Sequence, residues 1–346
     1  MGLDVAIVRD IRYLDHKPGL VHPESPNRLR SIYRMLDSDF PNGLITIAPV
    51  PAGLEDLELV HTPDYIKQIL STSERDFTTL SPDTAVSSLT YLAAWLAVGG
   101  CIKGLEAVMT GQCRVCFALV RPPGHHALHD RAGGFCIFNN LGITARYAME
   151  RFGLKRILIV DWDIHHGNAL QEVFYRENRV LYLSTHYMGW YPHTGDWEET
   201  GEGDGLGYNV NIPVPKELED DDIVHVYREV LGPVVRAFRP ELVLVAAGFD
   251  AHHRDPLGRT RLTEQAYGWL TQIVLQLSES VRSAPILLSL EGGYDNRALA
   301  ASVREVLKVL TYEGRRERVP SVRTKRGRDV VEKVREVHRK YGVWVG

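Results

Sequence analysis

The chain reads as a single three-layer α/β domain with a mostly parallel central sheet. Three observations carry that reading. Short β-branched runs alternate with longer stretches of helical period. Several of those runs are apolar almost throughout, as strands are when helices cover both faces of a parallel sheet. No low-complexity linker and no internal repeat divides the 346 residues, so one domain spanning 1–346 is the economical reading. Strands are expected at Leu3–Val8, Val115–Val120, Arg156–Asp161, Val180–Ser184, Leu242–Ala247 and Ile286–Leu290. Helices are expected over Pro26–Leu36, Thr84–Met109, Gly142–Phe152, Asp220–Phe238 and Thr263–Arg282, as crossovers between parallel strands.

Composition narrows the classes of function. The formal charge is −4, and so near-neutral a balance argues against nucleic acid as the main ligand. The chain has four cysteines, a count that suits a reducing compartment. Cys113 and Cys116 form a lone C-x-x-C inside Gln112–Val120, which reads as a buried strand, so inert packing is expected rather than zinc or redox use. Asp4, Arg9 and Asp10 interrupt the N-terminal apolar run, so no signal peptide is expected there. The apolar stretches near Ala93–Val98 and Leu242–Ala247 are too short to span a bilayer. A cytoplasmic protein without a membrane partner is expected. Residues 313–346 read as a basic segment followed by a terminal helix packed on the domain. The cluster Arg315, Arg316, Arg318, Arg323, Lys325, Arg326 and Arg328 reads as a solvated surface, with an acidic partner as the other reading. The sequence leaves oligomeric state open.

Five loop-like segments each follow an expected strand: 121–140, 161–168, 186–207, 249–261 and 291–296. They should meet at the carboxyl edge of the sheet, where open α/β sheets bind ligands. One apolar run ends in Asp161, Asp163 and His165, spaced so that all three point to one face if the extended geometry persists. A second run, Glu241–Asp250, delivers another carboxylate to the same edge. Buried carboxylates need a cation or hydrogen bonds to offset desolvation. Asp163, His165 and Asp250 make an O₂N donor set of charge −2 that leaves positions open for water and substrate, which suits a catalytic zinc. Either segment alone could equally be a helix-capping Asp with hydrogen-bonded surface histidines; together they favour a metal. In Arg121-Pro-Pro-Gly-His-His126 two adjacent imidazoles enter the edge region, and beside a metal they could act as general base and electrostatic partner. The glycines before Tyr294 would let a phenol approach a developing oxyanion, although a lone Tyr294 could be a packed turn residue.

RPPGHHA (121–127), GGFCIFNN (133–140), DWDIHHGN (161–168), GFDAHHRDPLG (248–258) and EGGYDN (291–296) occur in an order that resembles the histone deacetylase/acetylpolyamine amidohydrolase family, which has the arginase-like fold. The resemblance runs from about His22 to Ala300. The HHGN, DPLG and EGGY stretches look like its class II branch, of bacterial or archaeal type. It implies zinc on Asp163, His165 and Asp250, with iron(II) able to use the same ligands. By the same resemblance His126 is the general base, His125 its electrostatic partner, Asp161 the residue that orients His125, and Tyr294 the oxyanion donor. Gly134, Phe135 and Tyr191 look like walls of a tunnel for the methylene chain of an acylated amine. A potassium ion is implied near Asp161 and Ser184, using carbonyls of Asp163, His165 and Thr185.

Three positions mark the branch or depart from the common pattern. Asn168 stands where the class I pattern has Asp, which should leave His126 less basic. His193 stands where Gly is common, and either touches substrate or is an exposed loop residue. Leu257 occupies a rim position where polyamine-selective relatives carry Glu. The expected activity is hydrolysis of an acyl amide on lysine or a lysine-like amine, with acetylpolyamine hydrolysis as the alternative. A dinuclear ureohydrolase would need Asp where Gly167 and His252 stand. A non-catalytic acyl-lysine reader would be expected to have lost a ligand or Tyr294.

Overall fold

Eight strands form one parallel sheet in the computed structural model, which describes residues 4–258, 260–281, 283–311 and 318–344. Leu3, Arg282, Arg315 and Arg316, which belong to expected elements, lie outside the described residues. In chain order the strands are β1 (Val5–Val8), β2 (Ile45–Ile47), β3 (Phe77–Ser81), β4 (Thr84–Ser87), β5 (Val115–Ala118), β6 (Ile157–Asp161), β7 (Val180–Tyr187), β8 (Asn209–Val214), β9 (Leu242–Ala247) and β10 (Ile286–Leu290). The sheet order is β2-β1-β5-β10-β9-β6-β7-β8, and β3 and β4 form a separate antiparallel hairpin. Every residue of β5, β6, β9 and β10 is buried, which is why these strands read as unbroken apolar runs. Register aligns their carboxyl ends: Asp161 pairs with Ala246 on one side and Ser184 on the other.

The helices are α1 (Asn27–Asp39), α2 (Leu54–Leu57), α3 (Pro63–Ser71), α4 (Thr90–Met109), α5 (Asn140–Arg151), α6 (Asn168–Phe174), α7 (Asp220–Val226), α8 (Gly232–Phe238), α9 (Glu264–Val281), α10 (Asn296–Thr311) and α11 (Lys325–His338). They flank the sheet on both sides; α4 packs with α5, and α10 packs between α1 and α9.

Four local expectations change in three dimensions. Thr84–Ser87 is a strand, and α4 begins only at Thr90, whose hydroxyl accepts from the Ser87 N–H at 3.0 Å. Ala93–Val98 belongs to a 20-residue helix long and apolar enough to cross a bilayer by composition, but most of it is buried in the core. The stretch 220–238 is broken by a π-helical turn at Tyr227–Leu231, just before Gly232-Pro233. Proline lacks the N–H that would bond the carbonyl four residues back and its ring crowds that carbonyl, so the turn loosens. Finally, β7 runs to Tyr187 because β8 pairs with it, His186 opposite Pro213 and Tyr187 opposite Val214. An Asn-rich strand containing proline is hard to recognise, and it survives here at a sheet edge.

All four cysteines are free and buried, and burial pushes the Cys113 thiol up to about 11. The basic C-terminal cluster divides. Arg318 and Arg323 are exposed, whereas Arg326 on α11 pairs with Asp222 at 2.5 Å as α11 packs on α7 and β8.

Candidate active site

The loops after β5, β10, β9 and β6, four adjacent strands, converge at one point of the carboxyl edge. The extended geometry of β6 ends at Asp161 and does not persist to His165. The Asp163 N–H donates to Asp161 Oδ1 at 3.2 Å and the His165 N–H to Asp163 Oδ1 at 2.9 Å. Carboxylates that accept from backbone two residues on curl the chain, so spacing in an extended strand was the wrong reason for the cluster. Asp250, after β9, accepts from the Ile164 N–H at 3.0 Å, and the Gly292 N–H, after β10, donates to Asp163 Oδ2 at 2.8 Å. A Cβ at position 292 would stand 2.2 Å from an Asp250 carboxylate oxygen, so only glycine lets this backbone pass.

Asp163 and Asp250 are fully buried, His165 nearly so, and one donor atom from each lies within 4.8 Å of the others. His165 Nδ1 stands 3.1 Å from Asp163 Oδ1 and 2.9 Å from Asp250 Oδ2. Ligands about 2.0–2.2 Å from a tetrahedral zinc are separated by roughly 3.3 Å, so this donor set fits a small divalent ion. Electrostatics agree. Burial opposes a charge on His165, yet Asp250 and Asp163 lift it to about 10. Burial also opposes charge on Asp163, but His125 and His165 hold its carboxyl below the ordinary value. Burial and the Asp163 charge push Asp250 up. The cluster therefore holds positive charge between its carboxylates, where a dication would serve better than a proton.

Beside it stands the histidine pair, its backbone anchored by the Glu291 carboxylate, which accepts from the N–H groups of Gly124 at 2.7 Å and His125 at 3.2 Å. His125 Nδ1 lies 3.2 Å from Asp161 Oδ2, an oxygen that also accepts from the Tyr182 hydroxyl at 2.9 Å. His126 Nδ1 lies 2.8 Å from Asn168 Oδ1. The two rings are 4.0 Å apart. Their environments drive them in opposite directions. Burial disfavours charge on His125, but Asp163 and Asp161 overcome it and carry the ring to about 10. Burial and the charge of His125 push His126 well below the ordinary imidazole value, with the Asn168 hydrogen bond opposing. With Nδ1–H donated to Asn168, the neutral His126 ring presents a lone pair at Nε2.

A pocket of about 230 Å³ opens on these groups. His126, His165 and Tyr294 line its floor, and Gly134, Phe135, Tyr191 and Leu257 its walls, together with Asp83, Trp190 and Pro256. Phe135 has φ 67°, a conformation costly for a residue with a side chain, and the β3–β4 hairpin holds it there. Asp83 accepts from the Gly134 N–H at 3.1 Å, and Thr84 Oγ1 from the Phe135 N–H at 3.0 Å. Tyr191 meets the His126 ring edge-to-face at 5.2 Å. The Tyr294 ring packs edge-to-face on Phe135 at 5.6 Å and under the Arg28 guanidinium at 4.9 Å. Burial raises its phenol well above the usual value, with Arg28 opposing, so it stays a proton donor. Its hydroxyl makes no hydrogen bond among the described residues.

His193 is exposed, at φ 65°, with its ring turned to the Gly189 carbonyl. Ser184 bonds His186 through Oγ at 2.9 Å, and Thr185 Oγ1 donates to the Asp161 carbonyl at 3.4 Å. Several residues that shape the site had not been singled out. Asp83 was hidden because its neighbour Thr84 read as the start of a helix. Trp190 and Pro256 adjoin Tyr191 and Leu257, and that adjacency was the available signal. Arg28, Glu24 and Arg121 form a wholly buried ionic cluster beneath the site: Glu24 accepts from Arg121 at 2.5 and 2.6 Å, and Arg28 Nε donates to the Gly293 carbonyl at 2.6 Å. No local pattern marks a fully buried arginine.

The histone deacetylase domain model matches residues 22–310 of this chain. A probable deacetylase of Archaeoglobus fulgidus is 37% identical over 295 residues, covering 83% of this chain and 80% of the relative. Histone deacetylase 15 of Arabidopsis thaliana is 38% identical over 309 residues, 88% of this chain but 55% of the relative. Histone deacetylase HDA1 of Saccharomyces cerevisiae is 36% identical over 323 residues, 84% and 45%. The chain thus spans about half the length of these plant and yeast relatives. The crystal structure of the HDA15 HD domain superposes with a TM-score of 0.91 at 36% identity, covering 99% of this chain and 96% of that one.

Proposed function

This chain belongs to the histone deacetylase domain family, and from that premise we propose that it is a metal-dependent amidohydrolase that removes acetyl or other acyl groups from the amine of lysine-like substrates. The observation that carries this reading is that one pocket ends on a neutral imidazole, a phenol without a partner among the described residues, and His165, a member of an Asp-His-Asp group able to hold a metal. Asp163, His165 and Asp250 would hold zinc, or iron(II), which supplies polarisation of the acyl carbonyl and acidification of water. His126 accepts the proton of the attacking water at Nε2 and returns one to the leaving amine. Tyr294 donates its hydroxyl to the tetrahedral oxyanion. His125, charged between Asp161 and Asp163, stabilises negative charge that develops beside it. Gly134, Phe135 and Tyr191 sheathe the linear amine, with Leu257, and His193 further out on its exposed loop. Potassium would lie behind the site on Asp161 and Ser184 with the carbonyls of Asp163, His165 and Thr185; the support is a fully buried Asp161 carboxylate at the end of β6, beside β7.

Two features favour one catalytic metal over two. Among the described residues one Asp-His-Asp group could hold an ion. A Cβ at position 167 would stand 2.4 Å from Asp161 Oδ2, and His252 bonds Glu264 at 3.1 Å. Against a mere acyl-lysine reader stands the complete set of donors, His126 and Tyr294. Side-by-side hydrolysis of acetyl-lysine peptides, longer acyl-lysines and acetylated polyamines tests the reading, and no turnover of any of them by metal-loaded protein would overturn it.

The aliphatic rim at Leu257 is what favours lysine over a polyamine, because it offers a cationic tail no countercharge. Leu257→Glu is expected to raise kcat/KM for an acetylated polyamine relative to acetyl-lysine by about tenfold, the value of roughly 1.4 kcal/mol of attraction. An unchanged ratio places the determinant elsewhere. A pH profile tests His126. The base must be neutral, so its pKa sets the acid limb of kcat/KM. Asn168→Asp would put a negative charge at Nδ1, favour the imidazolium and raise that pKa, moving the acid limb to higher pH. A limb that stays in place, or moves down, would remove His126 from the role of base.

A further inference from the structure

Away from the active site, a second cavity of about 580 Å³ lies where the π-helical turn, α8 and α9 meet the basic C-terminal segment. Three arginines line it, Arg228, Arg236 and Arg318, with Gln272, Gln276 and Ser321; none of the lining residues is acidic. Arg228 Nη1 donates to the Pro320 carbonyl at 2.8 Å and so holds the segment against the helices. Among the described residues, Arg236 and Arg318 have no carboxylate partner, unlike Arg326 and Arg335 nearby, which pair with Asp222 and Glu229. Gln272 is only 5% exposed, yet its amide makes no hydrogen bond among the described residues. Its amide opens on the cavity, bordered by guanidinium groups without carboxylate partners, where it can bond a polar ligand.

We propose that this cavity binds a small polyanion carrying two or more phosphate or carboxylate groups, and that the ligand links the C-terminal segment to α9. Three guanidinium forks around a bounded space match such groups bidentately. The limited volume, about 580 Å³, suits a small ligand. Gln272 supplies a neutral donor that fixes orientation. Binding at the junction of segment and helix bundle also raises the thermal midpoint, since the ligand prefers the folded state.

Calorimetric titration of the full chain at low salt with inorganic tripolyphosphate and, separately, with citrate tests this. One saturable site per chain is expected. The double substitution Arg236→Ala/Arg318→Ala, at two exposed side chains, should weaken it about tenfold or more. Arg318→Gln alone should weaken it less, and all variants should keep wild-type circular dichroism and acyl-lysine hydrolysis. Binding of tripolyphosphate alone assigns phosphate, and of citrate alone carboxylate. No saturable binding of either anion, or affinity unchanged in both variants, overturns the proposal. So does binding of polyglutamate with neither small anion, which would assign an acidic chain instead.

Discussion

Asp250→Ala is expected to purify without stoichiometric divalent metal and to show no hydrolysis above background, because it removes one of the three proposed ligands. The remaining pair, Asp163 and His165, would leave half of a tetrahedral shell to water. Asp250 does more than ligate: its Oδ1 accepts from the Ile164 N–H at 3.0 Å, which shapes the curl after β6. Asp250→Asn keeps that acceptor and the side-chain volume while deleting the charge, and so separates ligation from loop geometry. Metal analysis of both variants, with circular dichroism as a check on folding, reads the result directly. Wild-type zinc or iron content in Asp250→Ala would remove Asp250 from the ligand set. The same logic predicts that chelation of the wild-type metal lowers the thermal midpoint, since an ion bound only by the folded chain stabilises it.

Tyr294→Phe is expected to lower kcat by about 10²–10³-fold, or roughly 2.7–4 kcal/mol of transition-state stabilisation, with KM nearly unchanged. The hydroxyl has no partner among the described residues, so removing it orphans nothing. The ring keeps its contacts with Phe135 and the Arg28 guanidinium. An interaction made only with the oxyanion should appear in kcat and kcat/KM equally, and a loss confined to KM would mean the phenol merely holds substrate. Full activity in the variant would show that the oxyanion is stabilised by other groups. A lowered thermal midpoint would expose a structural contribution that the contacts do not predict.

The central strands were legible because burial on both faces leaves an apolar signature in the sequence; β9 and β10 match the expected limits residue for residue. The edges were not. β2 is three residues long, and β8 carries two asparagines and a proline, compositions that become strands only because a neighbour supplies the ladder. β4 alone reads as the start of a helix from Thr84, which hides the hairpin whose Asp83 and Thr84 hold the backbone of Gly134 and Phe135.

The chemistry of the cluster was written locally: carboxylates and imidazoles placed just after buried strands announce a metal and a base wherever the fold sets them. Their arrangement was a tertiary matter. Asp163 and His165 reach Asp250 through a curl of carboxylate-to-backbone hydrogen bonds, against an expectation built on strand periodicity. The His125–His126 pair owes its opposite proton affinities to Asp163 and Asp161, which arrive from another strand and charge His125, and to burial and that charge, which keep His126 neutral. Beneath them, Glu24, Arg28 and Arg121 are buried as a group: Glu24 pairs with Arg28 one turn away and with Arg121 from the loop after β5, and Arg28 reaches the Gly293 carbonyl after β10. Periodicity and residue type reveal what a segment can do within a few residues; only the closed sheet decides which charges share a low-dielectric interior, and there their mutual energies are large enough to set protonation and metal affinity.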